Sequence, residues 1–546
     1  MERTVAFIVA RLSSSRLPGK QLLEIGDRAL LAWTIQGLKS ARRIDAIVLA
    51  TTAEPVNDPL ARAASGLGID IFRYAGDPNH LTPRLVAAAK AFKSDISLLI
   101  SGDCPLVDGP LLDRMINTLQ SCPIGDYVTL QPDAAGIFPL AEGIGVYRTH
   151  AWERADQLST TLGEKEHLFP VIHQSHAHLF TPVPCRVDPC YHTERHRISV
   201  DTWADVEFHR ALYAALLEQR RKYNLVNVVR LLQERPHLKQ INLHVHQKGT
   251  HEPERTLLIL TAGGGSAGYG HLSRCRELAM QATEQLGAGV TCVVDGNEAA
   301  AFFAERGVRT ITADPMGDEA THCARRADWT IVDLPPHLAP DPEWRRHLAA
   351  RRVLVLDSLE PWAAEADLVV VPGVVVDPEK KQLVEKRTPV HHGREYLILR
   401  REIAAMARHQ PEKETDLLTY LHHEEATGQV AGLCRRTGWS LRMSQNFSGD
   451  FHRHLAHSRV LVNGFGVSSY EAMALQCVPV TWPHSPRHRE EARTFYRALA
   501  LPPLVADNIS LLEELVGGVL ADPPSLPALK DGCGRILSLM TGEDNR

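Results

Sequence analysis

The stretch TVAFIVARLSSSRLPGK, residues 4–20, sets the fold class of the N-terminal half. Its first part is almost wholly apolar and predicts a buried strand, and the polar part with Pro18-Gly19 predicts a turn that leads into a helix. Short apolar runs and helical patterns continue to alternate in ALLAWTIQGL, AIVLATT, DPLARAA, IDIFRY, RLVAAAKAF and ISLLIS. This alternation predicts an α/β fold in which helices cover both faces of a mostly parallel sheet.

The loop after the first strand has the composition of a phosphate-binding loop. Its hydroxyl groups, backbone N–H groups and cations can together surround a triphosphate and offset its charge. The turn at Pro18-Gly19 would bring the Lys20 side chain back over the loop. The alternative interpretation is a solvated basic loop without a ligand. The candidate residues are Arg11, Ser13, Ser14, Ser15, Arg16, Gly19 and Lys20.

Two aspartates are predicted at the ends of strands. Asp103 follows the run ISLLIS in the segment SGDCPLVD, and Asp201 stands in RHRISVDTWADVEF after a predicted strand and before a helix. Because α/β sheets place ligands at the carboxyl ends of parallel strands, both carboxylates are expected beside the triphosphate loop. A pair of carboxylates suits Mg²⁺, which also binds phosphate oxygens. Each aspartate taken alone could instead cap a helix.

The N-terminal motifs resemble the cytidylyltransferases of bacterial acidic sugars. The segments that carry the resemblance span most of residues 1–220 and are ARLSSSRLPGKQL, ATTAEPVNDPLA, SGDCPLVD, GEKEHLFPVI and RHRISVDTWADVEF. The most similar branch is the spore-coat-polysaccharide type, which is related to the synthetases of CMP-sialic acid and CMP-Kdo. The resemblance implies a Rossmann-like, GT-A-like nucleotidyltransferase domain over residues 1–234.

The resemblance also implies roles for single residues. The nucleotide-binding residues would be Arg11, Ser13, Ser14, Arg16 and Lys20. The catalytic residues would be Lys20, Asp103 and Asp201, of which the two aspartates would also hold Mg²⁺. The residues at the sugar would be Arg84, Glu166 and His167. Lys165 and Leu99 stand where the family usually has arginine, and this difference bears on the identity of the sugar.

The reaction implied by the resemblance is attack of a sugar hydroxyl on the α-phosphate of CTP, with release of pyrophosphate. The product would be a CMP-linked acidic sugar of the nonulosonic type, used for surface polysaccharide or glycan synthesis. A second interpretation keeps the same loop and aspartates but has a non-sugar acceptor, such as a phosphonate. A homodimer is one assembly that the sequence leaves open.

The second half begins after a polar, histidine-rich segment, residues 235–255, which is predicted to be an interdomain linker. Strand-like runs then recur as TLLILT, VTCVV, RTITA, WTIVD, RVLVLD and DLVVV. A later group comprises DLLTYL, SLRMS, RVLVNG and VPVTW. These runs, separated by helical stretches, predict two smaller α/β lobes over residues 256–394 and 395–546.

Each predicted lobe carries one loop with binding chemistry. The loop TAGGGSAGYGHLSRC contains glycines that permit close approach to a ligand, and His271 is predicted on the first turn of the following helix. Its glycine spacing is not the complete dinucleotide-binding pattern. The segment NGFGVSSYEA predicts an anion site at a helix N-terminus, with Glu471 one turn into the helix. The alternatives are an exposed first-turn histidine and a carboxylate that only complements the helix dipole.

These two loops, together with WTIVD, VLVLDSL and GREYLILRREI, resemble the UDP-sugar hydrolase of pseudaminic acid biosynthesis, a two-lobed GT-B-like protein. The resemblance implies that His271 activates water and that Glu471 binds the ribose of a UDP-sugar. The other nucleotide-binding residues would be Gly264, Gly270, Asn463, Gly464, Ser468 and Ser469. The family's Asp-His-Tyr reads Asp333-Leu334-Pro335 here, and its glycine turn reads YLHHEE at residues 420–425. A non-catalytic binding domain is therefore the alternative.

The composition is that of a soluble globular protein, with 44% hydrophobic and 23% charged residues in 546. No apolar run is long enough for a membrane helix, and a net charge of −5 without a basic run argues against nucleic-acid binding. Ten cysteines without a predicted secretion signal indicate a reduced, cytoplasmic protein.

A cluster of potential zinc ligands could equally be surface histidines and buried cysteines; its members are Cys185, Cys190, His192 and His196.

Overall fold

The computed structural model describes residues 2–247, 255–264, 268–341, 343–409, 411–421, 424–444 and 450–542. The chain divides into two compact units. Unit 1 comprises Met1–Glu254 and Thr283–Ala288, and unit 2 comprises Arg255–Ala282 and Gly289–Arg546. The domain bounds predicted at residues 234, 255 and 394 stay predictions. Within the described ranges, no helix is both long and apolar enough to cross a membrane.

Unit 1 alternates strands and helices along the chain. Its strands are β1 Thr4–Val9, β2 Glu24–Ile25, β3 Arg28–Ala29, β4 Ala46–Thr52, β5 Asp70–Tyr74, β6 Ile96–Ser101, β7 Tyr127–Leu130, β8 Ile144–Arg148 and β9 Pro182–Cys185. Its helices are α1 Leu30–Lys39, α2 Asp58–Gly66, α3 Leu81–Ala91, α4 Gly109–Gln120, α5 Thr149–Leu158, α6 Leu162–Glu166, α7 Leu168–Pro170, α8 Trp203–Glu218 and α9 Leu225–Glu234.

The main sheet of unit 1 confirms the predicted mostly parallel architecture. Its seven strands have the order β5-β4-β1-β6-β8-β7-β9. The first four are parallel to one another, and β8 is antiparallel to β6. Because β1 and β6 are adjacent central strands, the loop after β1 and the SGD turn after β6 lie at the same edge. Apolar side chains of β1 and β4, among them Phe7 and Val48, are fully buried beneath α3 and α5.

The strand predicted directly before Asp201 is wrong. Residues 193–201 are irregular in the structure. The backbone N–H groups of Ile198 and Ser199 donate to the carboxylate of Glu142 at 3.0 and 2.9 Å, so they are not available to a neighbouring strand. The N–H of Val200 donates to the carbonyl of Asp103 at 2.9 Å. Asp201 therefore reaches the sheet edge through a tethered loop that ends at the N-terminus of α8.

Unit 2 contains two all-parallel sheets. The first part has β10 Thr256–Thr261, β11 Gly289–Val294, β12 Arg309–Thr312, β13 Trp329–Asp333, β14 Val353–Leu356, β15 Leu368–Pro372 and β16 Val390–Gly393. Its helices are α10 Gly270–Leu286, α11 Asn297–Ala304, α12 Asp318–Ala324, α13 Trp344–Leu348 and α14 Pro378–Glu385. The second part has β17 Thr415–Tyr420, β18 Leu441–Met443, β19 Ser458–Asn463 and β20 Val478–Thr481. Its helices are α15 Arg401–Ala407, α16 Glu424–Thr437, α17 Phe451–Ala456, α18 Val467–Ala474, α19 Pro486–Ala498, α20 Ile509–Ala521 and α21 Cys533–Thr541.

The strand orders of unit 2 are β12-β11-β10-β13-β14-β15-β16 and β18-β17-β19-β20. Every strand-like run quoted from the second half falls on one of these strands, so the predicted α/β pattern is confirmed. In each sheet the strand that comes first along the chain, β10 or β17, lies in the interior of the sheet, as in other doubly wound folds. The finer assignment of a GT-B-like pair of lobes stays a prediction.

Candidate active site

The loop of residues 11–20 is held in shape by its own backbone and by the β4–α2 connection. The N–H of Gly19 donates to the carbonyl of Leu12 at 3.1 Å, which closes the loop. The N–H of Leu12 donates to Oδ1 of the buried Asn57 at 2.8 Å. Gly19 has φ of 69°, a left-handed conformation that suits glycine. The predicted turn at Pro18-Gly19 is thus present, and the loop is preformed.

The Lys20 ammonium is shared by the two predicted carboxylates. Its Nζ lies 2.7 Å from Oδ2 of Asp103 and 2.6 Å from Oδ1 of Asp201. Burial by itself lowers the pKa of Lys20, but the charges of Asp103 and Asp201 outweigh it and raise that pKa well above its ordinary value. The structure therefore brings together the three residues that the sequence named as catalytic.

Asp201 is the most heavily paired member of this cluster. Arg16 Nη2 lies 3.2 Å from its Oδ1, and Arg197 binds its Oδ2. Burial alone raises the pKa of Asp201, but Lys20, Arg16 and Arg197 lower it far below its usual range. Asp103 accepts a hydrogen bond from the Ser101 hydroxyl at 2.6 Å. The carboxylate of Asp201 is thus ionised at neutral pH.

The donor chemistry of this cluster is compatible with Mg²⁺. Two carboxylates converge on one cationic atom, and their side chains remain 20% and 16% exposed for Asp103 and Asp201. Mg²⁺ commonly takes one or two carboxylates and completes its coordination with water and phosphate oxygens. These residues could therefore hold Mg²⁺ when a triphosphate occupies the loop and engages Lys20.

Arg84 is a buried cation whose guanidinium is only partly satisfied. It lies on α3 with 6% of its surface exposed, and its Nε and Nη1 make no hydrogen bond. Burial and the nearby charge of Arg11 lower the pKa of Arg84 to about 10. Arg11 itself donates to Oδ1 of Asn79 at 2.7 Å. A buried, unpaired guanidinium is costly, so its position suits an anionic ligand.

The other predicted residues of the N-terminal site lie on exposed or half-buried parts of the loops. Ser13 is exposed and Ser14 half-buried, and the Ser14 hydroxyl accepts from the N–H of Leu17 at 3.3 Å. Glu166 and His167 are both exposed at the end of α6. This helix packs on α3, which carries Arg84. Their contact with a sugar stays a prediction.

The cysteine–histidine cluster is not organised around a metal. Within the described ranges, no group of three or more histidine, cysteine or acidic side chains could hold an ion. His196 Nε2 lies 2.7 Å from Oδ1 of Asn242, and His192 Nδ1 lies 3.2 Å from the carbonyl of Asp188. Cys185 accepts from the Thr118 hydroxyl at 3.3 Å. All ten cysteines of the chain are free thiols.

His271 forms a pair with a buried carboxylate at the carboxyl end of β13. Its Nδ1 lies 2.7 Å from Oδ1 of Asp333 and 2.8 Å from Nη2 of Arg274. Arg274 also donates from Nε to Oδ2 of Asp333 at 2.6 Å and binds Asp357. Burial raises the pKa of Asp333, but Arg274 and His271 together lower it below its usual range. In the tautomer that carries its proton on Nδ1, His271 would donate to Oδ1 of the ionised Asp333 and keep its lone pair on Nε2.

The glycine loop before His271 is partly outside the described residues, because residues 265–267 are not among them. The N–H of Gly264 donates to the carbonyl of Gly268 at 2.9 Å. Gly264 has φ of 100°, which only glycine adopts readily. Gly270 is the first residue of α10. Residues 422–423 of the predicted turn YLHHEE, and residues 248–254 of the predicted linker, also lie outside the described residues.

Glu471 lies in a closed ion pair, which the sequence did not predict. Its Oε1 and Oε2 accept from Nε and Nη2 of Arg400 at 2.6 and 2.7 Å. Asn463 Nδ2 donates to the hydroxyls of Ser468 and Ser469 at 2.8 and 2.9 Å, at the start of α18. A Cβ at Gly464 would lie 2.5 Å from Nδ1 of the exposed His484, so a larger residue there would require that side chain to move. The predicted contact of Glu471 with a ribose stays a prediction.

Sequence reasoning missed several residues that hold the predicted ones. Arg197 lies four positions before Asp201, inside the quoted motif, yet the irregular loop that lets the two meet gave no periodic signal. Asn57 lies in the motif ATTAEPVNDPLA, but its role depends on a contact with Leu12 far along the chain. Arg400 lies in GREYLILRREI, a segment that indicated a resemblance to the UDP-sugar hydrolase but not a pairing with Glu471.

Comparisons with known proteins place the similarity in unit 1. Residues 5–209 match the cytidylyltransferase family model. The 3-deoxy-manno-octulosonate cytidylyltransferase of Bdellovibrio bacteriovorus is 33% identical over 128 residues, 23% of this chain and 50% of that protein. The spore coat polysaccharide biosynthesis protein SpsF of Bacillus subtilis is 28% identical over 218 residues, 38% of this chain and 86% of that protein.

A solved cytidylyltransferase from Leptospira borgpetersenii is 25% identical, with a TM-score of 0.39, and the match covers 44% of this chain and 98% of that one. The family match contains the loop of residues 11–20 together with Asp103 and Asp201. The similarity to the cytidylyltransferase family thus lies in residues 5–209.

Proposed function

We propose that the N-terminal domain transfers a cytidylyl group from CTP to a hydroxyl of an acidic sugar, which yields a CMP-sugar and pyrophosphate. The observation that carries the proposal is the Lys20 ammonium shared by Asp103 and Asp201 beside a preformed loop. Relatives support the substrate class, because one is named as a 3-deoxy-manno-octulosonate cytidylyltransferase and another as a spore coat polysaccharide biosynthesis protein.

The phosphate chain of CTP would lie along the loop of residues 11–20. Arg16 and Lys20 would exchange part of their contact with Asp201 for contact with phosphate oxygens, since the triphosphate is a stronger anion than one carboxylate. The hydroxyls of Ser13 and Ser14 and the loop N–H groups would donate to the same oxygens. The preformed loop reduces the ordering that binding requires.

The chain aligns the reactants and stabilises charge rather than forming a covalent intermediate. The sugar oxygen forms a bond to the α-phosphorus, the bond from that phosphorus to the bridging oxygen of pyrophosphate breaks, and the hydroxyl proton leaves to a base or to water. Asp103 and Asp201 would hold Mg²⁺, which adds positive charge where the phosphate oxygens become more negative. Lys20 holds the two carboxylates together until the nucleotide arrives.

Arg84 supports an anionic acceptor. Its unpaired, buried guanidinium could accept the carboxylate that distinguishes an acidic sugar from a neutral one. The proposed preference for CTP over other nucleoside triphosphates rests on the family similarity, because the loop would contact phosphates, which all of these nucleotides share. Competition among CTP, UTP, ATP and GTP measures that preference directly.

An acceptor panel tests the proposal. Pyrophosphate release from CTP would be measured with the full chain, Mg²⁺ and three acceptors: 3-deoxy-manno-octulosonate, N-acetylneuraminate and 2-aminoethylphosphonate. We expect release with an acidic sugar and none without an acceptor. Release with the phosphonate alone would move the protein to the non-sugar interpretation. No release with any acceptor, in a preparation that binds CTP, would contradict the proposed substrate class.

We propose a second, nucleotide-sugar hydrolase site in unit 2, because a specific observation favours it. The Nδ1 of His271 faces the ionised Asp333, so its Nε2 could take a proton from water attacking a UDP-sugar. The side chain is 20% exposed, which permits contact with solvent. The closed Glu471–Arg400 pair argues for weak UDP affinity, and a binding domain without catalysis remains the alternative outcome.

This second proposal is tested on the full chain with a UDP-linked amino sugar. His271→Asn should lower hydrolysis by roughly 10²–10⁴-fold while leaving the binding of UDP, measured by calorimetry, nearly unchanged. His347→Asn is the matched control, since that histidine is 63% exposed elsewhere in unit 2. Hydrolysis that survives in His271→Asn would contradict a general base at this position, and UDP binding without turnover in the wild type would leave a binding domain.

A further inference from the structure

The segment after α9 delivers a buried amide into the N-terminal domain. Residues 235–247, predicted as part of a linker, group with unit 1, and Pro236–Ile241 forms a 3₁₀ helix. Asn242 follows this helix and is only 2% exposed. Its Nδ2 donates to Oδ1 of Asp205 at 2.9 Å and to the carbonyl of Arg197 at 3.3 Å, and its Oδ1 lies 2.7 Å from His196 Nε2.

The carboxylate that Asn242 contacts is itself fully buried. Asp205 has no exposed surface and accepts the N–H groups of Asp201 and Thr202 on Oδ2, each at 2.9 Å. The Thr202 hydroxyl donates to the same oxygen at 3.0 Å. Arg197 Nε donates to Oδ1 at 3.1 Å. Asp205 therefore fixes the backbone at Asp201 and orients Arg197.

Arg197 completes the link to the candidate site. While its Nε contacts Asp205, its Nη2 binds Oδ2 of Asp201. The backbone of Asp201 is thus held by Asp205 and its side chain by Arg197. Asn242 contacts both of these partners through one amide nitrogen.

We propose that Asn242 is a positioning residue for Asp201, acting through Asp205 and Arg197. The proposal rests on the proposed cytidylyl transfer, in which Asp201 faces the phosphates. Loss of the Nδ2 donor leaves a buried carboxylate oxygen with one partner fewer and releases the carbonyl of Arg197. Partners in this second layer around a ligand-holding carboxylate typically change activity by about 10–100-fold when they are removed.

Two substitutions separate positioning from packing. Asn242→Ala removes the whole amide, whereas Asn242→Asp keeps the size and the acceptor for His196 but replaces the donor to Asp205 with an oxygen. A role in packing alone predicts that Asn242→Asp, below its unfolding temperature, keeps the wild-type kcat, even though the added buried carboxylate lowers its stability. A positioning role predicts that Asn242→Asp is impaired at least as much as Asn242→Ala, because two carboxylates then face each other. The matched control is Lys239→Ala, in the 3₁₀ helix that precedes Asn242 and paired with the exposed Glu194.

The experiment uses the full chain with CTP, Mg²⁺ and the acidic sugar that the wild type turns over. Below the unfolding temperature of each variant, we expect both Asn242 variants to lower kcat by about 10–100-fold. The KM for CTP should stay near the wild-type value, because the loop of residues 11–20 is untouched. The Lys239→Ala control should retain wild-type kcat.

Hydrogen exchange supplies a readout that does not need turnover. The amide protons of Asp201 and Thr202 should exchange faster in both Asn242 variants than in the wild type or Lys239→Ala. Wild-type kcat and unchanged exchange in Asn242→Asp would overturn the proposal. If the wild type turns over no acceptor, the proposed function has failed, and the exchange rates alone decide whether Asn242 holds Asp201.

Discussion

In the N-terminal site two partly exposed carboxylates share one buried cation, whereas at the start of α18 in unit 2 one buried carboxylate pairs with one buried cation. The Lys20 ammonium contacts both Asp103 and Asp201, whose side chains are 20% and 16% exposed. Glu471 gives both oxygens to Arg400, and the two side chains are 2% and 9% exposed. Both clusters follow strands of parallel sheets, so position alone does not separate them.

The difference is in what each cluster can exchange. A buried cation shared by two partly exposed carboxylates can exchange one carboxylate for a phosphate while the other still offsets its charge. A bidentate, buried pair has no such freedom, because removal of one partner leaves an uncompensated charge. The first arrangement is typical of a binding site and the second of a structural contact. The His271–Asp333 pair lies between these extremes, with a 20% exposed imidazole on a buried carboxylate.

The largest expected effect is on turnover at the shared cluster. Asp103→Asn should lower kcat for CTP consumption by about 10²–10³-fold, because it removes a carboxylate that would hold Mg²⁺ beside the reacting phosphate. Its unfolding free energy should change by less than about 1 kcal/mol, since the pair is partly exposed. Asp70→Asn, at an exposed position of β5, is the control. An Asp103→Asn protein with wild-type kcat would contradict the assignment of this site.

The next effect is on stability at the closed pair. Glu471→Gln should reduce the free energy of unfolding by about 3 kcal/mol, because Arg400 loses its buried counter-charge. Urea denaturation followed by tryptophan fluorescence measures this change. Glu424→Gln, exposed at the start of α16, should stay within about 0.5 kcal/mol of the wild type. Loss of UDP binding with unchanged stability would show that this pair opens for a ligand, as the sequence predicted.

The third expected effect is on the pH dependence of the unfolding free energy, and it comes from a buried histidine of unit 1. His209 is fully buried between the Tyr223 hydroxyl and the carbonyl of Ile198, and burial lowers its pKa to about 4. Below pH 6.5, the ordinary pKa of histidine, His209 takes up a proton in the unfolded chain but not in the folded chain. The contribution of the neutral His209 to the free energy of unfolding is therefore complete above pH 6.5 and falls as the pH drops towards 4. Between pH 7 and pH 5 the loss should be about 2 kcal/mol.

Denaturation at the two pH values, compared between variants, isolates this contribution. His209→Gln keeps hydrogen-bonding groups without a titrating ring, so it should lose less stability on acidification than the wild type. Equal pH dependence in wild type and His209→Gln would contradict a neutral, buried imidazole.

The smallest effect should occur at Arg84. Because its guanidinium is buried and partly unpaired, Arg84→Met should leave the unfolding free energy unchanged or raise it by about 1 kcal/mol. The KM for the acidic acceptor should rise at the same time. Loss of stability without a change in KM would mean that Arg84 is structural, and would remove the support for an anionic acceptor at this position.

Strands and loops with strong local patterns were predicted correctly. The runs from TVAFIVA to ISLLIS fall on β1, β4, β5 and β6, because buried parallel strands are continuous apolar segments. The meeting of Lys20 and Asp103 followed from the rule that the ends of parallel strands lie at one edge of a sheet, whereas Asp201 reaches that edge on an irregular loop. These inferences need only local sequence and the topology of a doubly wound sheet.

The contacts that the sequence could not predict join residues that have no common pattern. Glu142 replaces a strand partner for Ile198 and Ser199, so the predicted strand before Asp201 does not form. Asn242 reaches Asp205 from a segment whose polar composition indicated a linker. Arg400 pairs with Glu471, a contact that the sequence around Glu471 did not indicate. In each case a single polar contact over a long sequence separation decides the outcome.

The most direct test of the central claim is ³¹P NMR of CTP turnover by the full chain with Mg²⁺ and 3-deoxy-manno-octulosonate or N-acetylneuraminate. The account predicts that the α-phosphorus moves to a CMP-sugar phosphodiester while the β- and γ-phosphorus atoms appear as pyrophosphate. Asp103→Asn should slow both changes together. Formation of CDP and inorganic phosphate, or CTP consumption that is independent of the sugar, would contradict transfer of the cytidylyl group at this site.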